Sequence, residues 1–438
     1  MGNFIIQGGK QLQGEIIPQG AKNEALQVMC ATLLTKEKVR IHNVPYIRDV
    51  RKLMDILKSM GVTIERINED TYDFQAADIN IEDLKTPEFI KLSGSIRASL
   101  MIIGPLLGRF GKAYMAQPGG DKIGLRPMNT HFEGFAALGA KVNFDAASSI
   151  FEFSGRPLVG TYMLLNEASV TGTANVVMAA VMAKGKTTIF NAACEPYLYQ
   201  LCTMLNSMGA RISGIGSNLL TIEGVEELHG CEHTILPDMI EVGSYMGMAA
   251  VIGSGITIKN CACQHLGIIP SVFGKLGIHY EQRGDDIYIP RQEEYEIETN
   301  MDGSILTIAD APWPGFTPDL ISIALVTAIQ AKGSVLIHQK MFESRLFFVD
   351  TLRVMGAQIT LCDPHRAIVI GLNRKKNLRA TTMSSPDIRA GVALLIAALS
   401  ADGRSIIQNS EQIDRGYQNI VQRLQQLGAD IEAEGMTY

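Results

Sequence analysis

The chain is expected to be an α/β protein of two similar domains, each assembled from three copies of one helix-and-strand unit. Two observations predict this. A helix-like run ending in Leu-Gly or Met-Gly and followed by a short strand recurs six times: LKSMGVTIE, FAALGAKVNF, LNSMGARISG, FGKLGIHYE, LRVMGAQITL and LQQLGADIEA. A second sixfold series, of small-residue-rich apolar runs, falls between these marks. At 438 residues the chain is also too long for one typical core.

The glycines of the first series are Gly61, Gly139, Gly209, Gly277, Gly356 and Gly428, spaced by 78, 70, 68, 79 and 72 residues. Six units of that size account for the whole chain, and each glycine supplies a positive-φ end to its helix. Solenoid repeats are usually shorter, roughly 20–50 residues, so three units closing into one globular domain is the preferred arrangement. The boundary is expected near Leu236-Pro237, giving a domain of residues 22–236 and another of 1–21 with 237–438. The first strand, Asn3–Gln7, precedes the first unit and is free to complete the second domain's sheet.

The apolar series begins at GAKNEALQVMCATLL, GSIRASLMIIGPLL, GTANVVMAAVMAKG, EVGSYMGMAAVIGSG, DLISIALVTAIQAKG and DIRAGVALLIAALSADG. These runs are apolar nearly all round and rich in Ala, Gly and Ser, which predicts buried helices packed closely on neighbours. The helices predicted near 50–60 and 419–427 carry charge on one face and belong outside. Strands such as KVRIHNV, TTIFNA, GITIKN and SVLIHQ follow the inner helices, so each unit reads helix–strand–helix–strand–strand.

Composition excludes several classes. Hydrophobic residues make up 46% and charged residues 19%, an ordinary balance for a folded enzyme. A net charge of −6 argues against an evenly basic nucleic-acid surface. No basic start with a long apolar run and cleavage site opens the chain, and apolar stretches such as 100–107 are interrupted well short of membrane-spanning length. A cytoplasmic protein without nucleic-acid or membrane partners is expected. The seven cysteines are scattered, with no CxxC, which fits a reducing compartment. Cys261-x-Cys263-x-His265 and Cys231-x-His233 match no standard zinc spacing, so no metal is expected.

Reactive side chains occupy the starts of the apolar helices or the turns after their strands. Lys22 and Asn23 open the first, Arg97 lies in the second, and Asp319 and Arg389 begin the fifth and sixth. Asp121 and Arg126 (PGGDKIGLRP), Arg345 (MFESRLFF) and Arg415 (EQIDRGY) fall in turns. If the inner helices run in parallel, these positions converge at one end of each domain, where helix N-termini add partial positive charge suited to phosphate and carboxylate groups. Any one such cation is most simply a surface salt bridge, but six, Lys22 and the five arginines, at equivalent places in repeated units are not. The Gly-rich turn QPGGDKIGLRP is no P-loop, since no GK[ST] follows.

At these residues the chain resembles the UDP-N-acetylglucosamine 1-carboxyvinyltransferase family of enolpyruvyl transferases, from Phe4 to about Ile431. The motifs are GEIIPQGAKNEAL, SIRASL, PGGDKIGLRPMNTH, ASVTGTANVVMAA, FTPDL, MFESRLF, SSPDIRAG and IDRGYQNI. The resemblance implies a two-domain inside-out α/β barrel built from six βαβαββ-type repeats, with the active site between the domains. It implies transfer of the carboxyvinyl group of phosphoenolpyruvate to UDP-N-acetylglucosamine, the first committed step of peptidoglycan synthesis, with no cofactor. Lys22, Asn23, Arg126 and Arg415 match residues that hold phosphoenolpyruvate. Asn23, Arg97, Arg126, Pro127, Met128, Asn129, Thr130, His131, Ser169, Val170, Thr171, Asp319 and Met341 match contacts to the sugar nucleotide. Asp319 is the carboxylate at the sugar 3′-hydroxyl, and Arg345 and Arg389 are linked to closure and catalysis.

Three positions depart from the family pattern. Asp121 stands where many members have cysteine, Asn129 where aspartate is frequent, and Thr171 where glycine is common. A carboxyl group can perform the proton transfers of that thiol if burial raises its pKa, although neighbouring arginines oppose this. Asp121 is therefore expected to be the general acid, and the protein to be insensitive to the thiol-alkylating epoxide fosfomycin. The related 5-enolpyruvylshikimate-3-phosphate synthases are less similar, because their LGNAGT segment is absent and GAKN replaces a GDKS-type start. A non-catalytic nucleotide-sugar-binding paralogue has no need of Asp121 and Asp319 together.

Overall fold

The six runs predicted as buried helices are buried, and the sheets lie outside them. The computed structural model describes residues 2–116, 118–119, 127–146 and 148–435. Over these positions the chain divides into two compact units, one of residues 2–19 and 237–435, the other of residues 20–236. Each has helices at its centre: Lys22–Ala31, Ile103–Phe110 and Val170–Ala180 in one, Met239–Ile252, Ile321–Ile329 and Ile388–Ser400 in the other. Within each unit the three pack on one another. This is the mixed α/β, inside-out barrel architecture.

Small residues make such a centre possible. A Cβ added at Gly104 would lie 2.0 Å from the backbone oxygen of Asn175, and one at Gly247 would lie 2.5 Å from Thr327 Oγ1. Only glycine lets those helices approach so closely. Outside, helix Arg48–Ser59 buries Val50, Leu53, Met54, Ile56 and Leu57 and leaves its charged face to water. The six glycines that punctuate the repeat all have positive φ, between 90° and 106°. They end each outer helix so that its strand can turn back onto the sheet.

Six sheets surround the helices, five of four strands and one of three among the described residues. Each of the five four-stranded sheets combines one parallel pair with two antiparallel pairs. The strand Glu232–Thr234, at the end of the third repeat, lies parallel to Lys38–His42 of the first and closes that unit on itself. In the other unit Asn3–Gln7 pairs antiparallel with both Arg404–Gln408 and Asp430–Glu434. The N-terminal strand thus completes the sheet of the last repeat.

One inner helix differs from expectation. The run SIRASLMIIGPLL is not one helix but a 3₁₀ segment, Arg97–Ile102, followed by an α-helix from Ile103. The Asn175 side chain causes the change. Its Nδ2 donates to Leu100 O (2.8 Å) and its Oδ1 accepts from Gly104 N–H (2.6 Å), the two groups that an α-helix would join directly. A side chain inserted into the i→i+4 ladder breaks its regularity. Pro318 similarly precedes the fifth inner helix with a 3₁₀ turn, Pro318–Leu320.

No single helix among the described residues is long and apolar enough to cross a membrane. The close approach at Gly104 gives a direct test of the packing. Gly104→Ala is expected to lower unfolding stability by about 2 kcal/mol or more, because a backbone oxygen cannot rotate aside. Gly274→Ala, whose Cβ would only reach ordinary contact at 3.8 Å, is expected to be neutral or mildly stabilising. Urea denaturation of both variants measures the difference.

Candidate active site

In the unit of residues 20–236, Lys22 begins the first inner helix and is buried. Its ammonium lies 2.7 Å from Asp49 Oδ2, in the first turn of Arg48–Ser59, and both side chains are nearly enclosed. A buried pair of this kind holds its cation in place, since removing either partner strands a charge. Asn23 is half-buried beside it. Helix Lys22–Ala31 packs on the 3₁₀ segment that starts at Arg97. Arg97 Nη2 donates to Pro127 O at 3.3 Å, which ties that segment to the start of helix Asn129–Ala137. Pro127 and Asn129 are exposed, Met128 is half-buried, and Thr130 and His131 are buried.

Ser169 caps helix Val170–Ala180 by accepting from Gly172 N–H, and it leaves Val170 and Thr171 half-exposed in the first turn. Thr171 Oγ1 lies 3.2 Å from His131 Nε2, and Asn175 Nδ2 lies 3.0 Å from His131 Nδ1. Arg97, residues 127–131 and residues 169–171 are thereby brought together. Burial, with the charge of Arg97, pushes the His131 pKa down to about 3, so the ring is neutral at physiological pH. Asp121 and Arg126 lie outside the described residues.

In the other unit the polar centre is Asp319. Thr317 caps the turn that carries it, and Asp319 O atoms face two guanidiniums: Arg345 Nη2 at 2.7 Å from Oδ1 and Arg389 Nη2 at 3.1 Å from Oδ2. Arg389 sits in the first turn of Ile388–Ser400, whose N–H groups are capped by Asp387. Burial opposes its charge, but Asp319, Tyr417 and Asp238 raise its pKa above the ordinary value. The Tyr417 hydroxyl, 3.4 Å from Arg389 Nη1 and 2.7 Å from Ser244 Oγ, is pushed up to about 12 by burial and stays protonated. Arg415, half-buried at the end of the Ser410–Arg415 turn, donates to Gln412 Oε1 at 2.8 Å.

Met341 is 39% exposed, and its backbone is held by a residue the sequence did not single out. Asp310 is fully buried and accepts from the Lys340 and Met341 N–H groups and the Gln339 side-chain amide. It pins the turn that leads to Met341 and Arg345. Asn175 and Asp49 were missed in the same way. Asn175 left a signal, being the one amide inside the apolar run VTGTANVVMAA.

Chemically, each unit presents fixed cations, and Asp319 presents a carboxylate, an acceptor group, held between two of them. Among the described residues no cluster of three or more His, Cys, Asp or Glu side chains could hold a metal ion.

Comparison with known proteins places the fold and the family. The chain is similar throughout to the enolpyruvyl transferase NikO from Streptomyces tendae, with a TM-score of 0.86 at 21% identity, covering 99% of this chain and 98% of that one. An EPSP synthase structure from Acinetobacter baumannii gives 0.72 at 17% identity, covering 99% of this chain and 100% of that one. At these identities the likeness defines the fold alone, that of the enolpyruvyl transferases. Residues 6–434 match the family described as EPSP synthase (3-phosphoshikimate 1-carboxyvinyltransferase). The proteins named UDP-N-acetylglucosamine 1-carboxyvinyltransferase from Bacteroides thetaiotaomicron and Porphyromonas gingivalis are 64% and 62% identical, each over 98% of this chain and 99% of its own length. One from Borreliella burgdorferi is 46% identical over 99% of both chains. The chain belongs to the UDP-N-acetylglucosamine 1-carboxyvinyltransferase family.

The buried imidazole yields a measurable expectation. An unfolded histidine takes up a proton near pH 6.5, whereas folded His131 does so only near 3, so its neutral form costs stability as pH falls through that window. The ¹⁵N shifts of its ring should stay at neutral Nε2–H values from about pH 5 to about pH 8. A titration midpoint inside that range would contradict the geometry.

Proposed function

We propose that this protein transfers the carboxyvinyl group of phosphoenolpyruvate to the 3′-hydroxyl of UDP-N-acetylglucosamine, releasing phosphate, in the cytoplasmic supply of peptidoglycan precursors. The observation that carries this reading is 64% identity over nearly the full chain to a protein bearing that name. The polar groups at the inner-helix starts support it. The competing acceptor, shikimate 3-phosphate, is named for a family description and for structures that match only in fold.

The chemistry has two steps. Protonation of the phosphoenolpyruvate methylene carbon gives an oxocarbenium-like centre, which the 3′-hydroxyl attacks as it gives up its proton. The resulting tetrahedral ketal then loses phosphate while its methyl group returns a proton, forming the enol ether. An acid that later acts as a base, a carboxylate at the hydroxyl and fixed cations around the anions meet these needs. We assign the acid to Asp121 and the hydroxyl's partner to Asp319. Lys22, Asn23, Arg126 and Arg415 are assigned to phosphoenolpyruvate. Asn23, Arg97, Arg126, Pro127 to His131, Ser169 to Thr171, Asp319 and Met341 are assigned to the sugar nucleotide.

Arg345 and Arg389 hold Asp319 with one guanidinium on each oxygen. That grip fixes the orientation of the carboxylate. Lys22, paired with Asp49, offers a compact charge whose position does not depend on the substrate.

The test mixes purified protein with phosphoenolpyruvate and either acceptor and follows phosphate release. Release with UDP-N-acetylglucosamine and none with shikimate 3-phosphate is expected; the reverse would overturn the reading. Asp121→Asn should lower kcat by about a hundredfold or more, as loss of a general acid does. Near-normal turnover in that variant would remove Asp121 from the mechanism. Incubation with fosfomycin should leave activity intact, because a carboxylate there offers no thiolate to alkylate. Time-dependent inactivation prevented by substrate would contradict this assignment.

A further inference from the structure

We propose that Thr171 is a hydrogen-bond donor to an acceptor oxygen of the sugar nucleotide, set in that state by His131 and Asn175. The proposal rests on the substrate reading above and adds a direction for one proton.

The Asn175 carboxamide has no freedom to flip. Its Oδ1 faces Gly104 N–H at 2.6 Å, which only an acceptor can do, so both amide hydrogens lie on the other end. One points to Leu100 O at 2.8 Å and the other to His131 Nδ1 at 3.0 Å. His131 Nδ1 must therefore accept and carry no hydrogen. Because the ring is 1% exposed and neutral, its single N–H is on Nε2. That N–H faces Thr171 Oγ1 at 3.2 Å, so the threonine oxygen accepts there.

The hydroxyl hydrogen of Thr171 is then left for another partner. Among the described residues none accepts it. Thr171 is half-exposed in the first turn of Val170–Ala180, beside Arg97 and the 127–131 stretch, where an oxygen of a bound molecule can reach it. Both ring nitrogens of His131 are already used, so within the stretch assigned to the sugar nucleotide its part is to position Thr171 rather than to touch the ligand. Asn175 is a positioning residue as well. A glycine at this position would have no such proton to offer.

Calorimetry with UDP-N-acetylglucosamine alone and steady-state phosphate release, on the full chain, test this together. Thr171→Val should weaken UDP-N-acetylglucosamine binding about five- to tenfold, the effect of losing one ordinary hydrogen bond, with the KM for phosphoenolpyruvate and Tm unchanged. Thr171→Ser, which keeps the hydroxyl, should bind within about twofold of the parent. His131→Phe should also weaken binding, and adding Thr171→Val to it should cost little more, because the two act as one unit. If the parent binds but Thr171→Val binds as well, or Thr171→Ser fails as Thr171→Val does, the proposal falls. If the parent neither binds nor turns over the sugar nucleotide, the substrate reading falls instead.

Discussion

The Asn175 carboxamide, fully buried among apolar helices, is the interaction on which its unit most depends. Leaving such an amide without partners costs roughly 2–7 kcal/mol, so a helix core can carry it only if both its hydrogens and its oxygen find partners. Here it joins Leu100 O, Gly104 N–H and His131 Nδ1. The second inner helix must break to offer its carbonyl and N–H, and residue 104 must be glycine to bring that backbone near. His131 must be neutral and of one tautomer. Three features that look unrelated along the chain follow from one amide.

The other unit solves a similar problem with hydroxyls and a charge. Ser244 and Tyr417 share a hydrogen bond of 2.7 Å, and Tyr417 meets the buried guanidinium of Arg389. Arg389 then has Asp319 to balance it, and Asp319 has Arg345 on its second oxygen. A buried arginine without that carboxylate would be strongly disfavoured, so the acid is structurally necessary before any substrate arrives. The polar groups cluster at helix starts because the helix bodies have no room for them: the interiors of Ile321–Ile329 and Ile388–Ser400 are buried on all sides.

Much of this was legible in the sequence. Gly61, Gly139, Gly209, Gly277, Gly356 and Gly428 carry the positive φ that their regular spacing requires, and the Ala- and Gly-rich runs are the central helices. Period and composition are local properties. What stayed hidden depends on partners far apart in sequence. Asp49 gains meaning only against Lys22, Asp310 only against the turn at 340–341, and Asn175 only against residues 100, 104 and 131. For the same reason the run after Arg97 reads as one continuous helix, since nothing within it announces the amide that interrupts it. Asp121 and Arg126, the two positions read from the Gly-rich turn, lie outside the described residues.

The spacing of Thr171 and Asn175 shows how such a core accommodates change at its site. Four residues apart, they lie on one face of the same helix, one turn above the other, and the His131 ring spans both. Asn175 is locked on every side, so a replacement there must answer to the neighbouring helix, the histidine and the glycine at once. Thr171 answers to one ring N–H and is half-exposed beyond it. A side chain can therefore appear or vanish at 171 without disturbing the helix body, and an N–H already fixed in direction waits to orient whatever hydroxyl arrives. The rigid layer sets the geometry and the turn above it is free to vary.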